Sequence, residues 1–109
     1  MPIFDDDDDG NVITKPKPKT RDELKKPSMY TVVFINDDYT PMEVVAYLMV
    51  EVMNLSKEDA MFHTMKVHKE GRASIGRYTF EIAEDKAYRC VMFARKSGHP
   101  LLVQPEEIT

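Results

Sequence analysis

Two regimes of hydrophobic patterning divide the chain near Pro27. Residues 1–27 hold only six of its apolar side chains, scattered around five consecutive aspartates, Asp5 to Asp9, and the alternation Lys15-Pro16-Lys17-Pro18-Lys19. A run of like charges repels itself, and Pro-Lys alternation favours an extended chain. So few apolar groups do not offset the entropy of ordering, and the reading for 1–27 is a disordered N-terminal extension. It serves either as a solubilising leader or as an arm that another protein grips. The aspartate run has no fixed geometry with which to select a divalent cation. Residues 28–109 carry the other 40 apolar side chains, enough for one compact domain.

Within that domain the periods change from element to element. Tyr30 to Ile35 is β-branched or aromatic throughout and uncharged, which predicts a strand buried on much of both faces. Asn36-Asp37-Asp38-Tyr39 reads as a polar turn. Thr40, Pro41 and Glu43 form a Thr-x-x-Glu helix start, with Thr40 as cap and Pro41 at the first helical position. That helix should run to about Met53, with Met42, Val45, Ala46, Met49 and Met53 on one stripe and Val44, Tyr47, Leu48 and Val52 making its other side apolar too. Ser56 and Asp59 mark the start of a second helix, which ends near Lys69 or Glu70 with Gly71 as its terminating glycine. Arg72 to Tyr78 alternates as a second strand. Thr79 caps a third helix over 80–97, whose inner stripe is Ile82, Ala83, Ala87, Cys90, Val91 and Ala94. Leu101 to Gln104 makes a closing strand that Pro105 stops. The order β-α-α-β-α-β in so short a chain predicts an α+β open-faced sandwich: a three-stranded antiparallel sheet with three helices on one side.

Composition narrows the function classes. Fifteen basic and nineteen acidic residues leave a formal charge of −4, which argues against a nucleic-acid binder needing a basic stripe. One cysteine, Cys90, permits no internal disulfide and fits a reducing compartment. No apolar run reaches membrane-spanning length and no signal-peptide pattern opens the sequence, so the expectation is a cytoplasmic protein with no membrane partner.

Catalytic and metal readings find little to stand on. His63 and His68 are five residues apart, so on a helix they diverge rather than share a face. There is no His-Glu-x-x-His, no phosphate-cradling glycine loop and no nucleophile elbow. The expectation is a non-enzymatic protein with no cofactor and no metal. Eight methionines admit core filling or an adaptable apolar surface. Met42, one turn beyond Asn36-Asp37-Asp38, would place an apolar pocket beside hydrogen-bond acceptors, suited to a ligand with a cationic head and an apolar arm.

Specific residues also carry a family resemblance. Pro27-Ser28-Met29-Tyr30, the block Asn36-Asp37-Asp38-Tyr39-Thr40-Pro41-Met42-Glu43, Val67-His68 with Gly71, Ala83-Glu84 with Lys86, and His99-Pro100-Leu101-Leu102 together resemble the ClpS adaptor family over about 27–104. The resemblance implies an adaptor of the N-end rule. Such a protein binds the free N-terminal Phe, Tyr, Trp or Leu of N-degron proteins and delivers them to a ClpA-type AAA+ unfoldase for degradation by ClpP. By motif position it implies that Asn36 and His68, with Asp37 assisting, hydrogen-bond the substrate α-amine. Asp38, Thr40, Met42, Val45, Thr64, Val67 and Leu101 would shape the side-chain pocket. Tyr39, Glu81 and Lys86 would face the N-terminal domain of the unfoldase. Two departures stand out. Thr64, beside Met65, takes a position where the family usually has Met, and the stretch with Arg72, Ser74 and Arg77 is unusually polar and basic. The alternative from another class is a ribosomal-stalk-like module that binds translation factors and needs no deep pocket.

Overall fold

A computed structural model describes residues 28–108, so the extension expected at 1–27 lies outside the described residues. The uncharged run predicted as the first strand forms β1, Met29–Ile35, and it is the middle strand of three. β2, Arg72–Tyr78, and β3, Leu102–Ile108, flank it, both antiparallel. Between them run α1, Met42–Glu51, α2, Lys57–Glu70, and α3, Phe80–Lys96. This is the β-α-α-β-α-β open sheet that the patterning predicts.

Strand period and burial agree along β1. Val32 and Phe34, with Ala73 and Ile75 of β2 and Val103 of β3, belong to one buried cluster with the inner stripes of the helices. Val33 points to the other face, yet it too is fully buried. Its cross-strand partners are Ser74 and Gln104. The Arg72 guanidinium reaches Glu106 across β1, and Gln104 Nε2 donates to Glu106 Oε2 at 3.3 Å, so a polar network roofs Val33. β2 carries an extra residue opposite β1 between Tyr30 and Val32. Gly76 lies there at φ +74°, and a Cβ at that position would strike the Tyr78 ring, so the bulge needs glycine.

The helices contribute narrow stripes. Val45, Leu48 and Met49 are the buried positions of α1. Ala60, Thr64 and Val67 are those of α2, whose start is fixed by Ser56 Oγ accepting the Asp59 N–H at 3.1 Å. Gly71, at φ +91°, closes α2 as expected. α3 buries Ala83, Ala87, Cys90 and Ala94, small residues that let its axis lie close to β1 and β3. Desolvation pushes the Cys90 thiol up to about 12, so it is a core residue without thiolate character.

Three details depart from the sequence reading. Ile82 is half exposed, because the 83-87-90-94 stripe turns it sideways. Pro105 does not stop β3 but pairs opposite Val32 inside it. An outer strand tolerates proline where the missing N–H faces away from the ladder. Thr40 and Thr79 make no side-chain cap: the N-cap of α1 is Pro41, and Thr79 caps α3 by position alone.

Candidate functional site

The loss of the Thr40 cap has a cause in the same loop. Asp37 Oδ1 accepts the backbone N–H groups of Tyr39 at 2.7 Å and of Thr40 at 2.9 Å. The Thr40 hydroxyl donates to Asp37 Oδ2 at 2.8 Å. Thr40 is thus drawn back toward Asp37 instead of forward onto the helix, and the Asn36–Thr40 loop is wired around one carboxylate. Desolvation pushes that carboxyl up. The bonds from the Thr40 hydroxyl and from the Tyr39 and Thr40 N–H groups, with the charge of His99, outweigh it and hold Asp37 below the ordinary 3.8.

Asn36 opens this loop, and its backbone N–H donates to Gly71 O at 2.9 Å. That bond joins the end of β1 to the end of α2, three residues beyond His68. Asn36 and His68 are both exposed, so two hydrogen-bonding side chains stand at neighbouring chain ends. His63 lies elsewhere on α2. It is half-buried, its Nδ1 has no partner and its ring meets Phe62 edge-on, so the two histidines do not converge.

The same ends of α1 and α2 supply the apolar candidates. Val45, Val67 and Leu101 share the buried cluster, each at most 5% exposed. Thr64, at 2%, donates its hydroxyl to Met49 Sδ at 3.6 Å, a bond that ties α2 to α1. Met42 is half-buried at the start of α1, Thr40 is half-buried, and Asp38 is exposed. Met65 turns the other way and lines an outward hollow with Met61 and Phe62, away from the Thr64 side of the helix.

The three residues matched to the unfoldase are not brought together. Tyr39, 79% exposed, shares a surface hollow with Arg95, His99 and Pro100 beyond the end of α3. Glu81 is exposed in the first turn of α3, about 20 Å away along that helix. Lys86 is half-buried and turned inward: its Nζ donates to Val52 O at 3.0 Å and lies 5.5 Å from the Tyr78 ring centroid. Among the described residues, no group of three or more His, Cys, Asp or Glu is arranged to hold a metal ion, and no helix is long and apolar enough to cross a membrane.

One residue with a part in this architecture was not singled out in the sequence. Arg95 Nη1 donates to His99 O at 3.1 Å and to Leu101 O at 3.0 Å, clipping the segment that carries Leu101. The signal available was an arginine in the last turn of a helix just before Gly98-His99-Pro100, which is generic.

The geometry therefore places a loop organised by Asp37, two exposed polar residues at adjoining chain ends, and the core members Val45, Val67 and Leu101. The family model for the ATP-dependent Clp protease adaptor protein ClpS matches residues 25–104. This chain belongs to the ClpS family. It is similar to the ClpS adapter of Paraburkholderia xenovorans, with 45% identity over 98% of this chain and 99% of that protein. It is similar also to the ClpS adapter of Phenylobacterium zucineum, with 48% identity over 83% of this chain and 79% of that one. In structure it resembles Agrobacterium tumefaciens ClpS2 bound to L-phenylalaninamide: TM-score 0.74, 31% identity, 76% of this chain and all of that chain. ClpS proteins are adaptors of the Clp protease rather than enzymes, and membership in that family does not favour the stalk-like alternative.

Proposed function

We propose that this ClpS protein binds the free N-terminal residue of proteins that begin with Phe, Tyr, Trp or Leu. It then hands them, in the cytoplasm, to a ClpA-type AAA+ unfoldase that feeds ClpP. The observation that carries the reading is the Asn36–Gly71 bond, which sets exposed Asn36 beside the end of α2 that bears exposed His68, next to an apolar cluster. L-Phenylalaninamide, the ligand of the Agrobacterium relative, offers a free α-amine and a benzyl group, with an amide where a second residue would follow. It is a minimal mimic of a protein that begins with Phe.

The chemistry is consistent with these positions. An α-amine with a pKa near 8 is mostly cationic at pH 7 and carries three donors. Asn36 and His68 present side chains able to accept hydrogen bonds, and the Asp37 carboxylate adds negative charge close by. Asp38, Thr40, Met42, Val45, Thr64, Val67 and Leu101 are the positions we assign to the side-chain pocket. Because Asp37 already accepts three hydrogen bonds within its own loop, we assign it charge complementarity and loop shape. Tyr39 and Glu81 are exposed and are assigned to the unfoldase, with Lys86 as the member whose internal tie leaves it least free to reach a partner.

Fluorescence anisotropy with peptides that begin with free or N-acetylated Phe tests the reading. Only the free form is expected to bind. Asn36→Ala and His68→Ala should each lose at least about 1.5 kcal/mol, more than tenfold in affinity, while remaining folded. Equal binding of the acetylated peptide, or unchanged affinity in folded Asn36→Ala, would overturn it.

A further inference from the structure

Helix α3 ends in a fully wired reversal. Gly98, at φ +81°, donates its N–H to Arg95 O at 3.0 Å, and His99 N–H donates to Ala94 O at 2.8 Å. These are the two bonds of a Schellman motif, which stops the helix and turns the chain back toward the sheet. Beyond it the backbone has little means of tying itself down: Pro100 has no N–H to give, and β3 begins only at Leu102. The carbonyls on either side of Pro100 are taken instead by one guanidinium nitrogen, Arg95 Nη1, at 3.1 Å from His99 O and 3.0 Å from Leu101 O.

What hangs on that clip is Leu101. Its side chain is 1% exposed in the cluster with Val45 and Val67, whereas its carbonyl lies outward under Arg95. Holding the carbonyls of His99 and Leu101 fixes two peptide planes that bracket Leu101, and with Pro100 locked in φ this narrows the directions its Cα–Cβ bond can take. We propose that Arg95 is a positioning residue for N-terminal-residue recognition: by holding the carbonyls of His99 and Leu101 it aims the Leu101 side chain at the pocket and so sets how closely that pocket fits. The inference rests on the functional reading above and adds to it a residue that touches no substrate. The Arg95 side chain is exposed and its hydrogen bonds go to backbone carbonyls, so its removal loosens the segment without deleting a side chain of the cluster.

The test compares affinities for peptides beginning with free Phe and free Leu in wild type, Arg95→Met and Arg95→Gln. Met keeps the apolar stem without a donor. Gln keeps a donor two atoms too short for either carbonyl. Both variants are expected to weaken Phe binding at least fivefold and to change the Phe-to-Leu ratio at least threefold, with the urea midpoint recorded alongside. A role confined to general stability would scale both affinities together, since neither peptide's side chain is favoured by a smaller folded fraction. A ratio within twofold of wild type in both folded variants overturns the inference while leaving the functional reading intact. A wild-type protein that binds neither free peptide overturns both.

Discussion

Asp37 shows how one side chain organises a loop. Its carboxylate gathers two backbone N–H groups and one hydroxyl within three residues, so the loop keeps its shape by local hydrogen bonds rather than by an apolar core of its own. Removing it in Asp37→Ala should cost about 1 kcal/mol, the scale of a lost helix cap, whereas Asp37→Asn keeps an acceptor oxygen and should cost less. The folded carboxyl titrates below the ordinary 3.8, so its contribution is fully present above that value and is lost as pH falls through the lower, folded value. Urea midpoints of wild type and Asp37→Asn should therefore differ most at neutral pH and draw together as pH falls below the ordinary 3.8. A gap that is the same at neutral and at acid pH would count against a charge-dependent loop. The loop also marks what sequence can convey at this scale. Thr40-x-x-Glu43 is a sound helix-start pattern, but Asp37 competes for the same hydroxyl, and a local pattern does not show which acceptor wins. Arg95 was harder still to see, because its partners are carbonyls on a segment whose path is set only once the helix has ended.

At the level of elements, legibility followed the strength of the period. β1 was readable on both faces because an uncharged β-branched run has no other comfortable environment, and Ser56 and Gly71 bracketed α2 correctly. In α3 the periodicity locates the helix, but apolar identity alone does not separate buried Ala83 from flanking Ile82. In β3 a proline reads as a stop until the strand is known to be an outer one, which is why the sequence ends the strand before Pro105 and the structure does not. The joint between α1 and α2 bears a consequence for specificity. Thr64 is buried against Met49 sulfur, so in the side-chain pocket proposed above the wall it would form is short. A Leu side chain should fill such a pocket less completely than Phe or Trp, and a contact the size of a methylene is worth roughly 1–3 kcal/mol. Anisotropy titrations should show a marked preference for Phe and Trp over Leu, and Thr64→Met should narrow it. Met65 points away from this wall, so an unchanged Leu-to-Phe ratio in Thr64→Met would mean that the short wall does not set the preference.

For the whole molecule, the change of composition at Pro27 predicts a separation of binding from delivery. Residues 1–27 lie outside the described structure, and the expectation for them rests on composition. An extended arm of that length spans up to about 90 Å, several times the radius of the folded part. Removing residues 1–25 should leave peptide affinity unchanged and abolish degradation of a Phe-initiated substrate by the unfoldase and protease. Degradation at the full-length rate would make the segment a leader only. The sheet has its own bearing on the company this protein keeps. An adaptor of the Clp protease works among loosened chains, each a potential extra strand, and β3 presents an outer edge to them. Pro105 sits midway along that edge and interrupts its row of donors, so a stray chain cannot be zipped onto the sheet in register. Pro105→Val should restore the row and let two copies pair edge to edge, seen as a concentration-dependent dimer by sedimentation velocity; a monomer at every concentration would mean that the edge is guarded by something else. With Pro105 in place, a polypeptide laid along the β3 edge loses a rung at its middle, and on the function proposed above it is the end of a chain, not its length, that the protein takes.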